Sequence, residues 1–146
     1  MCVMGHNGAG KSTLVNTLCG LVVKDAGNAR IYDKNIHENL RFCRKRMGVV
    51  SQFDVLWDEL TGMEHMYLFQ TLKRVEVDNF DELVRQRLDD VGLKDAGNLS
   101  VGKYSGGMRR RISVALSTMG NPNLILMDEP TTGMDPVSRR HVWTLI

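Results

Sequence analysis

Apolar positions along the chain follow two spacings, and each predicts its own kind of element. Phe80, Leu83, Val84, Leu88 and Val91 stand at i, i+3, i+4, i+8 and i+11, the stripe of an amphipathic helix that Gly92 ends. Before it, Thr61-Gly62-Met63-Glu64 fits a capping box, and Met66, Phe69 and Leu72 continue an apolar helical face. Met108, Ile112, Ala115, Leu116 and Met119 share one side of a further helix, which Ser105 is placed to cap. Leu14, Val15 and Leu18 supply the apolar side of a helix ended by Gly20 as a left-handed cap. Asp135-Pro136 opens a last helix with Val142, Leu145 and Ile146 on its inner side.

Other apolar runs are short and lack that period, so they read as strands. Ala29 to Asp33 follows a Gly27-Asn28 turn; Met47 to Ser51 ends on Gln52; Leu124-Ile125-Leu126-Met127 is continuous, as a fully buried parallel strand is. Met1-Cys2-Val3-Met4 is an apolar stub where another buried strand is expected, cut short. Strands alternating with helices predict an α/β fold with a parallel sheet. The two successive helices with no strand between them predict a helical subdomain at roughly residues 55–115. The last helix stops on an apolar residue without a cap, so the expectation is a single domain over 1–146, truncated at this end and at the other.

Composition narrows the class. The 146 residues are 42% hydrophobic and 25% charged, enough for one globular core. A formal charge of +2 leaves no global footprint for nucleic acid or an anionic membrane, so no nucleic-acid partner is expected. Cys2, Cys19 and Cys43 form no C-x-x-C pair, and His6, His37, His65 and His141 show no metal-ligand spacing. No apolar run approaches the roughly 20 residues that cross a bilayer, and no signal peptide opens the chain. Arg41, Arg44, Lys45 and Arg46 read as a solvated helix face.

Candidate chemistry begins at Gly5-His6-Asn7-Gly8-Ala9-Gly10-Lys11-Ser12, followed by Thr13. The spacing G-x-x-x-x-G-K-S is that of a phosphate cradle. Glycines let the backbone curl so that amides from about Asn7 to Ser12 point at an anion, beside the positive end of the following helix. Lys11 adds a point charge for β- and γ-phosphates, and the Ser12 hydroxyl is a hard oxygen suited to Mg²⁺. Asp128 and Glu129 stand at the C-terminal tip of the most apolar strand. Two carboxylates there are costly unless they bind a cation or move a proton. In an α/β sheet that tip faces the ligand, and Gln52 lies at the corresponding end of its own strand. Gly106 and Gly107 at a helix start make a second anion site.

These residues, taken together, resemble the nucleotide-binding domain of ATP-binding-cassette (ABC) transporters. Gly5 to Ser12 matches Walker A, Gln52 the Q-loop glutamine, Tyr104 to Met108 the signature, Leu124 to Glu129 Walker B, and Gly133-Met134-Asp135 the D-loop. The usual signature is L-S-G-G-Q; Tyr104 and Met108 at its ends, with Thr131 to Pro136, look like subfamily A. The resemblance implies a P-loop NTPase core with a helical subdomain bearing the signature, and ATP and Mg²⁺ as ligands. Gly5, His6, Asn7, Gly8, Ala9, Gly10, Lys11, Ser12 and Thr13 are then expected to hold phosphates. Ser12, Gln52 and Asp128 are expected at the metal, Asp128 through water. Glu129, Lys11 and Gln52 are expected to serve hydrolysis, and Ser105, Gly106 and Gly107 to act on the nucleotide of a second domain placed head to tail.

The implied function is ATP hydrolysis driving transport of lipid, at the cytoplasmic face of a membrane whose spanning domains belong to the full-length transporter. The family's adenine-stacking aromatic precedes Walker A and its switch histidine follows Walker B; both positions fall outside these residues. A non-hydrolysing nucleotide-binding fragment and a soluble cassette ATPase are the alternatives.

Overall fold

The computed structural model describes residues 2–74, 76–130, 134–136 and 139–140. In chain order its elements are α1 (Lys11–Leu18), β1 (Arg30–Ile31), β2 (Lys34–Asn35), α2 (Leu40–Lys45), β3 (Met47–Val50), α3 (Gly62–Lys73), α4 (Phe80–Asp90), α5 (Gly106–Ser117) and β4 (Leu124–Met127). β3 and β4 pair in parallel, Met47 opposite Leu124 and Val50 opposite Met127. Their carboxyl ends therefore come out side by side, the amide of Asp128 donating to the carbonyl of Val50 at 2.9 Å. That register brings the segment after β3, with Gln52, next to the segment after β4, with Asp128 and Glu129.

α1 ends as its sequence predicts. Gly20 takes φ 69°, its amide donates to Thr17 and that of Leu21 to Asn16, the paired bonds of a Schellman cap. The strand expected at Ala29 to Asp33 is half of a hairpin. Tyr32 and Asp33, both at positive φ, turn β1 antiparallel onto β2, an element the apolar pattern did not announce.

Three helices share one core. Met66 from α3, Val84 and Leu88 from α4, and Ile112, Ala115 and Leu116 from α5 are buried together with Val91, Leu93, Val101, Tyr104 and Met119. The capping box at the start of α3 is complete: the Glu64 amide donates to Thr61 Oγ1 at 3.1 Å, and the Glu64 carboxylate accepts from the Thr61 amide at 2.7 Å. Leu72 departs from the expected face and is 65% exposed. His65 and Gln70 are buried instead, because each has a defined polar partner there. Gln70 Oε1 accepts from the Gly120 amide, and His65 bridges the Trp57 amide and the Thr61 carbonyl.

The sheet differs from expectation in a second way. All four residues of β4 are half-buried rather than enclosed. Among the described residues β4 pairs only with β3, and residues 2–6 form no strand beside them, with Val3 and Met4 exposed. The inner face is nonetheless tightly closed by α5. A Cβ on Gly48 would collide with the Ser117 carbonyl, so only glycine allows β3 and α5 to approach this closely. At the other end Pro136 is helical and the Arg139 amide donates to Asp135, while Val142, Leu145 and Ile146 lie outside the described residues.

Two outcomes follow for stability. Gly48→Ala is expected to destabilise the domain by at least about 2 kcal/mol in urea titrations, against under about 1 kcal/mol for Val49→Ala on the more open face of the same strand. Hydrogen bonds from Thr61 hold the Glu64 carboxyl below its ordinary range. Its contribution is thus complete above the unfolded carboxyl's pKa and is lost as pH falls through the lower folded value. Amide exchange at the start of α3 should accelerate in acid, and Glu64→Gln, which keeps an acceptor, should remove that acid dependence.

Candidate functional site

The glycine-rich loop enters α1 through Gly10, at φ 89°, with Gly8 before it at φ 82°. These are left-handed conformations that side chains resist. Gly10 as the N-cap has no side chain with which to satisfy the first turn of α1. The amides of Lys11, Ser12 and Thr13 have no carbonyl available within the helix. They stand at the positive end of the dipole, an arrangement suited to an anion. Gly5 has a different role: a Cβ there would meet Ala9 Cβ at 3.1 Å, so its small size lets the loop fold over itself. The Ala9 amide closes that turn on the His6 carbonyl at 3.1 Å.

Lys11 Nζ donates to the carbonyls of Gly5 at 2.8 Å and His6 at 3.0 Å. An ammonium has three protons, so two fix it to the loop and one remains for a phosphate oxygen. Asn7, Gly8, Gly10, Lys11, Ser12 and Thr13 line a cleft of 270 Å³, and Gln52 and Glu129 close its other side. A larger cleft of 510 Å³ lies between α2 and α3, lined by Arg41, Arg44, Lys45, Lys73 and Arg74 with Phe69 and Leu72. Chemistry rather than volume locates the site: only the smaller cleft combines helix-start amides, an ammonium and a carboxylate.

The structure therefore brings Lys11, Ser12, Thr13, Gln52 and Glu129 to one place. Asp128, adjacent to Glu129 and half-buried, sits at the rim of β4 but does not line the cleft. The donors gathered here are hard oxygens, and among the described residues no group of three His, Cys, Asp or Glu could cage a metal. Such a set suits Mg²⁺, which takes few protein ligands and completes its shell with phosphate oxygens and water. Ser105, Gly106 and Gly107 are not in this cleft. Ser105 caps α5, its Oγ accepting from the Met108 amide at 3.3 Å, and Ser105 and Gly106 are exposed. Tyr104 beside them is buried, its hydroxyl donating to the Ala96 carbonyl at 2.8 Å, and burial pushes its phenol pKa up. It fills an apolar position while anchoring the turn before α5.

The family model described as ABC transporter matches residues 1–132. The chain belongs to the ABC transporter family. It is 48% identical to ABC transporter A family member 2 of Arabidopsis thaliana, with 99% of this chain and 15% of that protein covered. To ABC transporter A family member 1 of Dictyostelium discoideum it is 43% identical, over 98% of this chain and 16% of that one. The domain thus spans about a sixth of the length of these curated relatives. Its fold is that of a solved structure titled as the ATP binding subunit of an ABC transporter, with a TM-score of 0.85 over 95% of this chain and 58% of that one, at 24% identity. The P-loop NTPase core with parallel strands is therefore the fold of this ABC domain.

One residue of the site was not visible in the motifs. Arg110 follows the signature by two positions, yet its side chain is buried and reaches the tips of both β3 and β4. The available signal was spacing: Arg110, Val114 and Ser117 stand at i, i+4 and i+7, a second buried face of α5 turned to the sheet. Lys11→Ala should remove the one free ammonium proton at the loop. Binding of inorganic triphosphate, measured by calorimetry, is expected to weaken by about tenfold or more, which corresponds to the loss of a charge-assisted contact.

Proposed function

We propose that this domain binds ATP with Mg²⁺ and hydrolyses it to drive transport across a membrane, with lipid as the substrate class carried over from the subfamily A resemblance. The observation that carries the reading is the single cleft in which the phosphate-loop residues meet Gln52 and Glu129. Phosphoryl transfer asks mainly for positioning and charge stabilisation, and these residues supply both. The amides of the α1 start and Lys11 hold the β- and γ-phosphates. Ser12, Gln52 and Asp128 would hold Mg²⁺, Asp128 from outside the cleft lining and hence through water, and the ion when bound would supply positive charge for the phosphate oxygens. Glu129 accepts a proton from the attacking water as its oxygen bonds to the γ-phosphorus and the bond to the β-phosphate oxygen breaks. Gln52 senses the γ-phosphate across the cleft.

The exposed Ser105 and Gly106, apart from this cleft, support a head-to-tail partner: the signature of one domain acts on the nucleotide of the other. The helical subdomain at roughly residues 55–115 then carries the signature to that partner. No described helix is long and apolar enough to cross a membrane, so transport requires spanning domains beyond these residues. Phe53, Val55 and Trp57 are exposed immediately after Gln52, and the cationic cleft between α2 and α3 lies on the same domain. These surfaces support docking of such domains, and with it a position at the cytoplasmic face.

Glu129→Gln in the full-length protein separates the readings. Nucleotide affinity is expected within about threefold of the parent, while steady-state ATP hydrolysis falls by about a hundredfold or more, as loss of a general base does. Unchanged hydrolysis would sink the assignment of Glu129. A parent that binds ATP but never turns it over would favour the non-hydrolysing alternative.

A further inference from the structure

We propose that Arg110 is a positioning residue for hydrolysis, fixing Glu129 and Gln52 from the signature helix of the same domain. The inference rests on the ATPase reading above. Arg110 is 5% exposed, and its guanidinium spreads over two loops that the chain delivers separately. Nε donates to the Pro130 carbonyl at 2.8 Å, one terminal nitrogen to the carbonyls of Asp128 at 3.0 Å and Glu129 at 2.9 Å, and the other to the Ser51 carbonyl and to Asp54 Oδ1 at 3.3 Å. Three acceptors thus bracket the Glu129 peptide, and the fourth carbonyl belongs to the residue just before Gln52. A guanidinium has five N–H donors in a rigid plane, and all five are used.

Glu129 itself adds an independent observation. Its φ is 48°, a left-handed conformation outside the range a glutamate prefers. A non-glycine residue there is strained and persists only where its surroundings over-determine it. Arg110 holds the carbonyls on both sides of that residue and its own, which fixes the direction in which the carboxylate leaves the backbone. Arg110 is not itself among the residues that line the cleft, and its guanidinium meets Glu129 at the backbone carbonyl, so it acts through Glu129 and Gln52.

Its place on α5 gives the arrangement a second consequence. Ser105 and Gly106 begin the helix and Arg110 lies just over one turn later, so one rigid element joins the surface offered to a partner's nucleotide to the geometry of its own cleft. Asp54 steadies the clamp: it also accepts from Ser113 Oγ at 2.9 Å, and its pair with Arg110 gives the buried cation a counter-charge.

The test is Arg110→Lys in the full-length protein. It keeps the charge but replaces a planar fan by one compact ammonium that cannot serve both strand tips. Expected is a kcat for ATP hydrolysis lower by about 10- to 100-fold, with the KM and the nucleotide dissociation constant within about threefold, since displacement of a catalytic group acts on turnover. In single-turnover measurements, Arg110→Lys combined with Glu129→Gln should be no slower than Glu129→Gln alone, because both remove the same step. Asp54→Asn is the companion that leaves all four carbonyl contacts in place; a milder kcat loss with KM unchanged is expected. Any of three results overturns the inference: a kcat of Arg110→Lys within twofold of the parent, full additivity in the double variant, or equal loss of binding and turnover in both Arg110→Lys and Asp54→Asn. A parent that does not hydrolyse ATP overturns the ATPase reading, and this inference with it; a hydrolysing parent with an unaffected Arg110→Lys overturns the inference alone.

Discussion

A buried guanidinium is the constraint on which the rest of this domain depends. Taking an isolated cation out of water costs several kcal/mol even after the protein relaxes, and the cost is recovered only if every proton finds an acceptor. Arg110 meets that condition with carbonyls from two different strand ends and one carboxylate. The demand runs in both directions. Arg110 can be buried only if β3 and β4 end at the same level, and the carbonyls just past both ends accept from the arginine that α5 delivers.

The neighbouring arginines make α5 the hub of the structure. Successive residues of a helix point about 100° apart, so three in a row address three directions. Arg109 donates to Asp58 Oδ1 at 2.6 Å, across to the loop before α3. Arg111 donates to the carbonyls of Val91 and Gly92 at 2.8 and 3.0 Å, where the negative end of α4 favours a cation. Gly48 lets β3 come against Ser117 near the far end of the helix. The side of α5 that carries Ile112, Ala115 and Leu116 enters the three-helix core, and the side that carries Arg110 and Val114 faces the sheet. The helix thus spans the boundary between the sheet and the helical core rather than belonging to either.

What was legible in the sequence was local. The α4 stripe, the Thr61–Glu64 box, the Ser105 cap and the Gly20 terminator each depend on residues a few positions apart, and each is present. The glycine-rich loop likewise takes the left-handed backbone at Gly8 and Gly10 that its residues favour. Illegible features depend on long-range partners. Leu72 belongs to a buried face by its spacing alone, whereas His65 and Gln70 turn inward in its place because distant backbone groups pair with their side chains. β4 reads as an enclosed strand from its four apolar residues, but enclosure requires a strand on each side, and among the described residues it has one. The β2 strand, Lys34–Asn35, is too short and too polar to show a period. Arg110 was hidden for a related reason: Arg109, Arg110 and Arg111 read as a mixture of solvated and packed side chains, and which one is buried shows only when its acceptors are located.

The same geometry changes what the phosphate loop can be said to do. By itself the loop offers amides and one ammonium proton, donors that suit an anion, and no carboxylate that could activate water. The carboxylate opposite is exposed, at the tip of a half-buried strand, so its aim is not imposed by enclosure. The backbone contributes to that aim, and at Glu129 it lies in a left-handed conformation that glutamate rarely adopts. The acceptors around it are held by a side chain rooted on the helix whose first residues face away from this cleft. On the proposed ATPase reading, the groups that bind are gathered in a local motif while the group that moves a proton depends on a contact between α5 and the segment after β4, 19 positions apart in sequence, so a displacement of α5 acts first on turnover.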